Sequence, residues 1–150
     1  MWLVALRRYL LVIPVANLAW ETAQLPLYTV WREGSPREVA FAVAHCTAGD
    51  LLIATMSLVL ALLVLGVPDW PARGFGRVAT AALVLGVGYT AFSEWLNTTV
   101  RGGWTYTELM PVVPVLGTGL APLAQWVLIP LAAFAWTYRG VTSRRSGAYA

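Results

Sequence analysis

The sequence has no lysine, one histidine and one cysteine, and only 11% of its 150 residues are charged. Each scarcity excludes something. A single cysteine, Cys46, cannot close an internal disulfide. A single histidine, His45, rules out bis-histidine haem within one chain, and nothing supports His–Met ligation through Met56 or Met110. There is no Glu-x-x-His pair of the di-iron bundle kind, no Gly-rich phosphate loop and no nucleophile elbow. Gly117-Thr118-Gly119 is too short to serve as one. His45 with Glu21, Glu94 or Asp50 would offer hard nitrogen and oxygen ligands, but no metal and no cofactor is assigned. The ten basic residues are all arginines, giving a net charge of +3. They stand singly or in pairs rather than in a dense patch, which argues against a nucleic-acid partner.

What the chain has in excess is apolar length. It is 59% hydrophobic, and the excess sits in four runs, Leu3–Leu25, Val39–Val67, Val78–Leu96 and Leu116–Tyr138. Each is near or above the roughly 18 to 20 residues that cross a bilayer core. The expected fold is all-α: one polytopic membrane domain over residues 1–150, a bundle of four transmembrane helices at about 3–30, 36–66, 77–101 and 118–139. Its immediate partner is the lipid bilayer. Arg7, Arg8, Arg73, Arg77, Arg139, Arg144 and Arg145 fall on one side of this arrangement, and Arg32, Arg37 and Arg101 on the other. The bias places both termini in the cytoplasm and the protein in the inner (plasma) membrane. Arg7-Arg8 before the apolar Leu10–Ala19 stretch resembles a signal peptide. Trp20-Glu21 stands where the small residue of a cleavage site belongs, so the first helix is read as uncleaved.

Polar residues are confined to one end of each helix. In the first, Asn17, Glu21, Gln24 and Tyr28 are spaced to stack on one face, and Pro26 is expected to kink the helix beside them. Ser35-Pro36-Arg37-Glu38 reads as a capping box that starts the second helix. From that start, His45 and Asp50 lie about 14 and 21 Å along the axis, and Leu58 to Leu65 beyond them is pure hydrocarbon. Asp50 is about 140° round the helix from His45, so the two do not share a face. Cys46 shares the face of Asp50 and reads as a small hydrophobe, while Gly49 leaves room one turn below His45. In the third helix, Gly86 and Gly88 invite close helix contact, and Tyr89, Thr90, Ser93, Glu94 and Asn97 come late. Gly102-Gly103 ends it. The fourth helix carries one strongly polar residue, Gln125. The long outer loop between the third and fourth helices holds Trp104, Tyr106, Met110, Pro111 and Pro114, too apolar for a free loop, and reads as a lid.

All these polar groups fall in the outer half of the bundle, while the inner half is almost bare. An ion conduit needs polar lining along its whole path, so a pocket closed on the inner side is the better reading. Ionisable groups inside a membrane segment are costly and mark function. The expected catalytic groups are Glu21 as general acid or base, His45 as its proton partner, and Glu94. The expected ligand-binding groups are Asn17, Gln24, Asp50, Asn97, Trp104, Tyr106 and Gln125. For each there is a bland alternative: Glu21 as glue between helices, His45 satisfied by a carbonyl or by Gln125, and Trp20, Trp31, Trp95, Trp104 and Trp126 as an interfacial aromatic belt.

Trp20-Glu21, Gln24, the His45–Asp50 stretch, Ser93-Glu94-Trp95-Leu96-Asn97 and the Trp104–Pro111 segment resemble a group of small bacterial four-helix membrane proteins. That resemblance implies no activity. Glu21, His45 and Glu94 are also similar in kind to the acids and histidine around the lipid-accessible cavity of sterol-isomerase-like (emopamil-binding type) proteins, although the motif order differs. The expected function is therefore a pocket for a small apolar or isoprenoid-like ligand, with acid–base, isomerase-like chemistry. A non-catalytic accessory or assembly subunit, in a homo-oligomer or larger membrane complex, is the alternative. A proton-coupled transporter is the third.

Overall fold

A computed structural model describes residues 1–146 of the chain; side chains from 144 onward, including Arg144 and Arg145 of the charge count, lie outside the described part. Among the described residues there are four helices long and apolar enough to cross a membrane. Extended pairing among the described residues is limited to two isolated bridges. The architecture is an all-α bundle.

The first span is α1 (Trp2–Gln24). It does not kink at Pro26 and run on to residue 30. It stops at Gln24, passes through a 3-10 turn at Leu25–Leu27, and leaves Tyr28 extended at φ −117°, ψ 144°. Pro26 supplies no backbone N–H to continue the ladder, and the polypeptide turns away. The short helix α2 (Val30–Glu33) follows.

The second span, α3 (Pro36–Leu65), begins at the expected capping box. Ser35 Oγ accepts from the Glu38 backbone N–H, and Glu38 Oε2 accepts from the Ser35 backbone N–H at 2.8 Å. It ends at Gly66, whose φ of +55° only glycine adopts without strain. The third span, α4 (Phe75–Trp95), continues into a π-helical turn at Leu96–Val100. The fourth, α5 (Leu120–Ser146), runs seven residues beyond the expected end at 139, because only Gly140 interrupts its sequence there.

The spans form a ring in which α1 and α4 each pack against both α3 and α5. Toward the end that holds the N-terminus and the 66–74 turn, the ring closes on Ala5, Tyr9 and Ile13 of α1, Ala54, Leu58 and Ala61 of α3, Val78 and Ala82 of α4, and Ala133 and Phe134 of α5. Small residues let the backbones approach. Tyr9 and Phe134 stack with centroids 4.7 Å apart, and the Arg8 guanidinium lies 4.5 Å from the Trp136 ring. Leu11, Val15, Leu63, Val64 and Val84 point outward, each at least 64% exposed, as helices facing lipid require.

Candidate functional site

At the opposite end the ring opens around a cavity of about 330 Å³, walled by all four spans and by Trp104 of the long loop. Gln125 is its hub. From α5, the Gln125 side-chain nitrogen donates to Asn17 Oδ1 at 2.8 Å and Glu21 Oε1 at 3.0 Å on α1, and to Asp50 Oδ2 at 2.9 Å on α3. Glu21 Oε1 also accepts from Gln24 at 2.8 Å, and Gln24 in turn accepts from the Trp20 indole at 3.1 Å. Asp50 Oδ1 accepts from the Trp126 indole at 3.1 Å. An amide nitrogen carries two protons, yet here it faces three acceptors. Glu21 and Asp50 thus sit side by side on one donor.

The helices set this geometry. Asn17, Glu21 and Gln24 do share one face of α1, and all three reach the network. Asn17 returns its own amide to the Ile13 carbonyl at 2.8 Å, so it supports the cavity floor. Gly86 of α4 admits the Trp126 ring: a Cβ there would stand 2.5 Å from Trp126 Cε3. Gly88, expected to make a similar contact, faces open space, because α4 turns it away from α5.

Glu94 forms a second cluster on α4. The Tyr106 hydroxyl donates to Glu94 Oε2 and accepts from the Gly119 backbone N–H at 3.0 Å. The Trp104 indole lies beside the same carboxyl without a well-aligned bond. The long loop is therefore tied down as a strap. Thr29 N–H donates to the Thr105 carbonyl at 3.0 Å, Thr107 N–H to the Leu27 carbonyl at 2.9 Å, and Thr107 Oγ1 to the Pro26 carbonyl at 3.0 Å. Burial first, and the neighbouring Glu94 next, hold the Tyr28 and Tyr106 phenols above the usual phenol range. Both remain O–H donors at neutral pH.

His45 takes a different place. It is exposed, stacked on Phe41 one turn away with centroids 5.4 Å apart, and lies at the cavity rim. The offset of about 140° explains it, since turning Asp50 inward turns His45 to the flank. The carboxyl next to Glu21 is Asp50, and the expected Glu21–His45 pairing is replaced by a carboxyl pair. Asn97 lines the cavity, but its amide donates to the Ser93 carbonyl at 2.8 Å. The sequence did not single out Trp126 as the donor that fixes Asp50, nor Arg101 at the rim. An indole next to Gln125 in the chain was the only available signal. No group of three or more histidine, cysteine, aspartate or glutamate side chains suited to a metal occurs among the described residues.

Compared with known protein families, curated proteins and solved structures, the chain has no significant match. The motif resemblances thus rest on the residues alone.

Proposed function

We propose that this chain is a multi-pass protein of the inner (plasma) membrane, with both termini cytoplasmic, whose outward-facing cavity binds a small apolar or isoprenoid-like ligand and performs acid–base chemistry on it. The observation that carries this reading is the Glu21–Asp50 pair on the Gln125 amide, in the wall of a cavity of about 330 Å³. Two carboxyls this close resist simultaneous ionisation, so the pair holds one proton between them. A proton placed on a ligand double bond, and another removed from a neighbouring carbon, shifts the bond with no net change in atoms or electrons. Glu94, held by Tyr106, orients the ligand from the facing helix, and His45 at the rim exchanges protons with the outside. Trp104 and the strap cover the site.

Native mass spectrometry of the purified protein tests this. A retained apolar molecule is expected with the wild-type chain, and Glu21→Gln is expected to retain it while abolishing its turnover. If neither chain carries a ligand, the reading fails. The assembly-subunit alternative draws on one feature: α3 has no buried residue between Pro36 and Gly49, leaving four turns of helix open to a partner.

A further inference from the structure

Three carboxyl groups share the cavity wall, and what surrounds them narrows the ligand. Glu21, Asp50 and Glu94 all stand in its walls, while Arg101 reaches only the rim and is exposed. No arginine is among the buried residues described. The hydrogen-bond partners of the three carboxyls are all neutral: the Gln24 and Gln125 amides, the Trp126 indole and the Tyr106 hydroxyl, so a cation that enters meets carboxyls with which no charged side chain already pairs.

Thr90 gives an independent sign. It lines the cavity at 6% exposure, and its Oγ1 is buried without a hydrogen-bond partner. Thr22, Thr55, Thr98 and Thr137 each return the hydroxyl to the carbonyl four residues back. Thr90, one turn from Glu94 on the same face of α4, does not. A buried hydroxyl left unsatisfied calls for a partner from outside the chain. The rings of Tyr28, Trp104 and Trp126 in the same walls offer faces that attract a cation.

The way in is lateral. The outer turns of α3 hold no fully buried residue from Pro36 to Gly49, the exposed Leu52 and Tyr89 of α3 and α4 are part of the cavity wall, and a Cβ on Gly49 would meet no atom within 4 Å. That flank faces lipid. We infer that the ligand is a lipid-dissolved amine, with an apolar body and one cationic nitrogen, which enters between α3 and α4 and seats the nitrogen among Glu94, Glu21 and Thr90. The inference rests on the ligand-pocket reading above and names the chemical class that the pocket takes.

Matched probes test it on the full chain in phosphatidylcholine nanodiscs at neutral pH, read by the fluorescence of the tryptophans. N,N-dimethyldodecylamine is expected to bind at least about tenfold more tightly than 1-dodecanol. Glu94→Gln should reduce that preference to roughly threefold or less, because the amide keeps the shape and loses the charge. The double variant Glu21→Gln/Asp50→Asn, which removes both members of the pair and keeps acceptors for the Gln125 amide and the Trp126 indole, provides the same reading should Glu94→Gln fail to fold. Gly49→Phe, which fills open space and favours the helix, should abolish binding of both probes. Equal binding of amine and alcohol to the wild-type chain, or an amine preference unchanged by both carboxyl variants, overturns the inference and leaves the pocket reading standing. Absence of any binding sensitive to Gly49→Phe overturns both.

Discussion

Gln125 ties three helices together through one nitrogen, reaching Asn17 and Glu21 on α1 and Asp50 on α3. It is 2% exposed. Gln125→Leu preserves bulk but strips the donors from two carboxyls and an amide. Interhelical hydrogen bonds in membranes are individually worth about 0.6 kcal/mol, with more lost when buried acceptors are left bare. The expected outcome is a loss of about 2 kcal/mol, seen as a lower midpoint of thermal unfolding by circular dichroism in detergent. A variant as stable as the wild type would show that the network is not a fastener. At this scale the sequence was informative but incomplete. The spacing of Asn17, Glu21 and Gln24 put them on one face of one helix, and intramembrane polarity marked Gln125. Which acceptors Gln125 would serve depends on how α5 is rotated against α1 and α3. No periodicity within α5 encodes that.

Among the elements, α4 shows how two similar glycines differ. Gly86 meets the Trp126 ring and Gly88 meets nothing, though both were expected at a helix contact. Gly86→Ala pushes a methyl into an indole that is held by Asp50, and should cost about 1–3 kcal/mol. Gly88→Ala should be neutral or stabilising by up to about 1 kcal/mol, through helix propensity alone. Chemical denaturation of the pair gives the comparison, and equal effects would mean that α4 is rotated differently against α5. The strap offers a second test. Tyr106→Phe removes the donor to Glu94 and the acceptor for the Gly119 N–H. Amide hydrogen exchange over residues 104–119 should then rise by about tenfold, with the spans unaffected. That the loop is not a free chain was legible from its tryptophan, tyrosine and prolines. Its attachment was not, because it depends on Pro26 ending α1 and freeing the backbone from Leu27 to Thr29 to bond with it. A proline read as a kink and a proline that ends a helix look alike in sequence.

Over the whole molecule, polarity and packing divide the bundle into two halves with opposite tasks. The half that holds the N-terminus and the 66–74 turn is closed by interlocked Ala5, Ile13, Ala54, Leu58, Ala61, Val78, Ala82 and Ala133, several with no exposed surface at all. The polar groups buried there do not make a path: Thr137 spends its hydroxyl on the Ala133 carbonyl, and Tyr9 stacks on Phe134. The other half holds the carboxyls, the hub amide and the cavity. A proton-coupled transporter would need these carboxyls to be reached from both sides of the membrane in turn, which means parting the closed half. Parting it exposes apolar area at about 25 cal/mol per Å², with no polar lining to offset the cost. The expectation is therefore that proteoliposomes carrying the chain and an internal pH-sensitive dye dissipate a proton gradient no faster than protein-free liposomes. A Glu21-dependent proton leak would instead mean that the closed half opens, and that the cavity is one station of a crossing rather than a site closed at its floor.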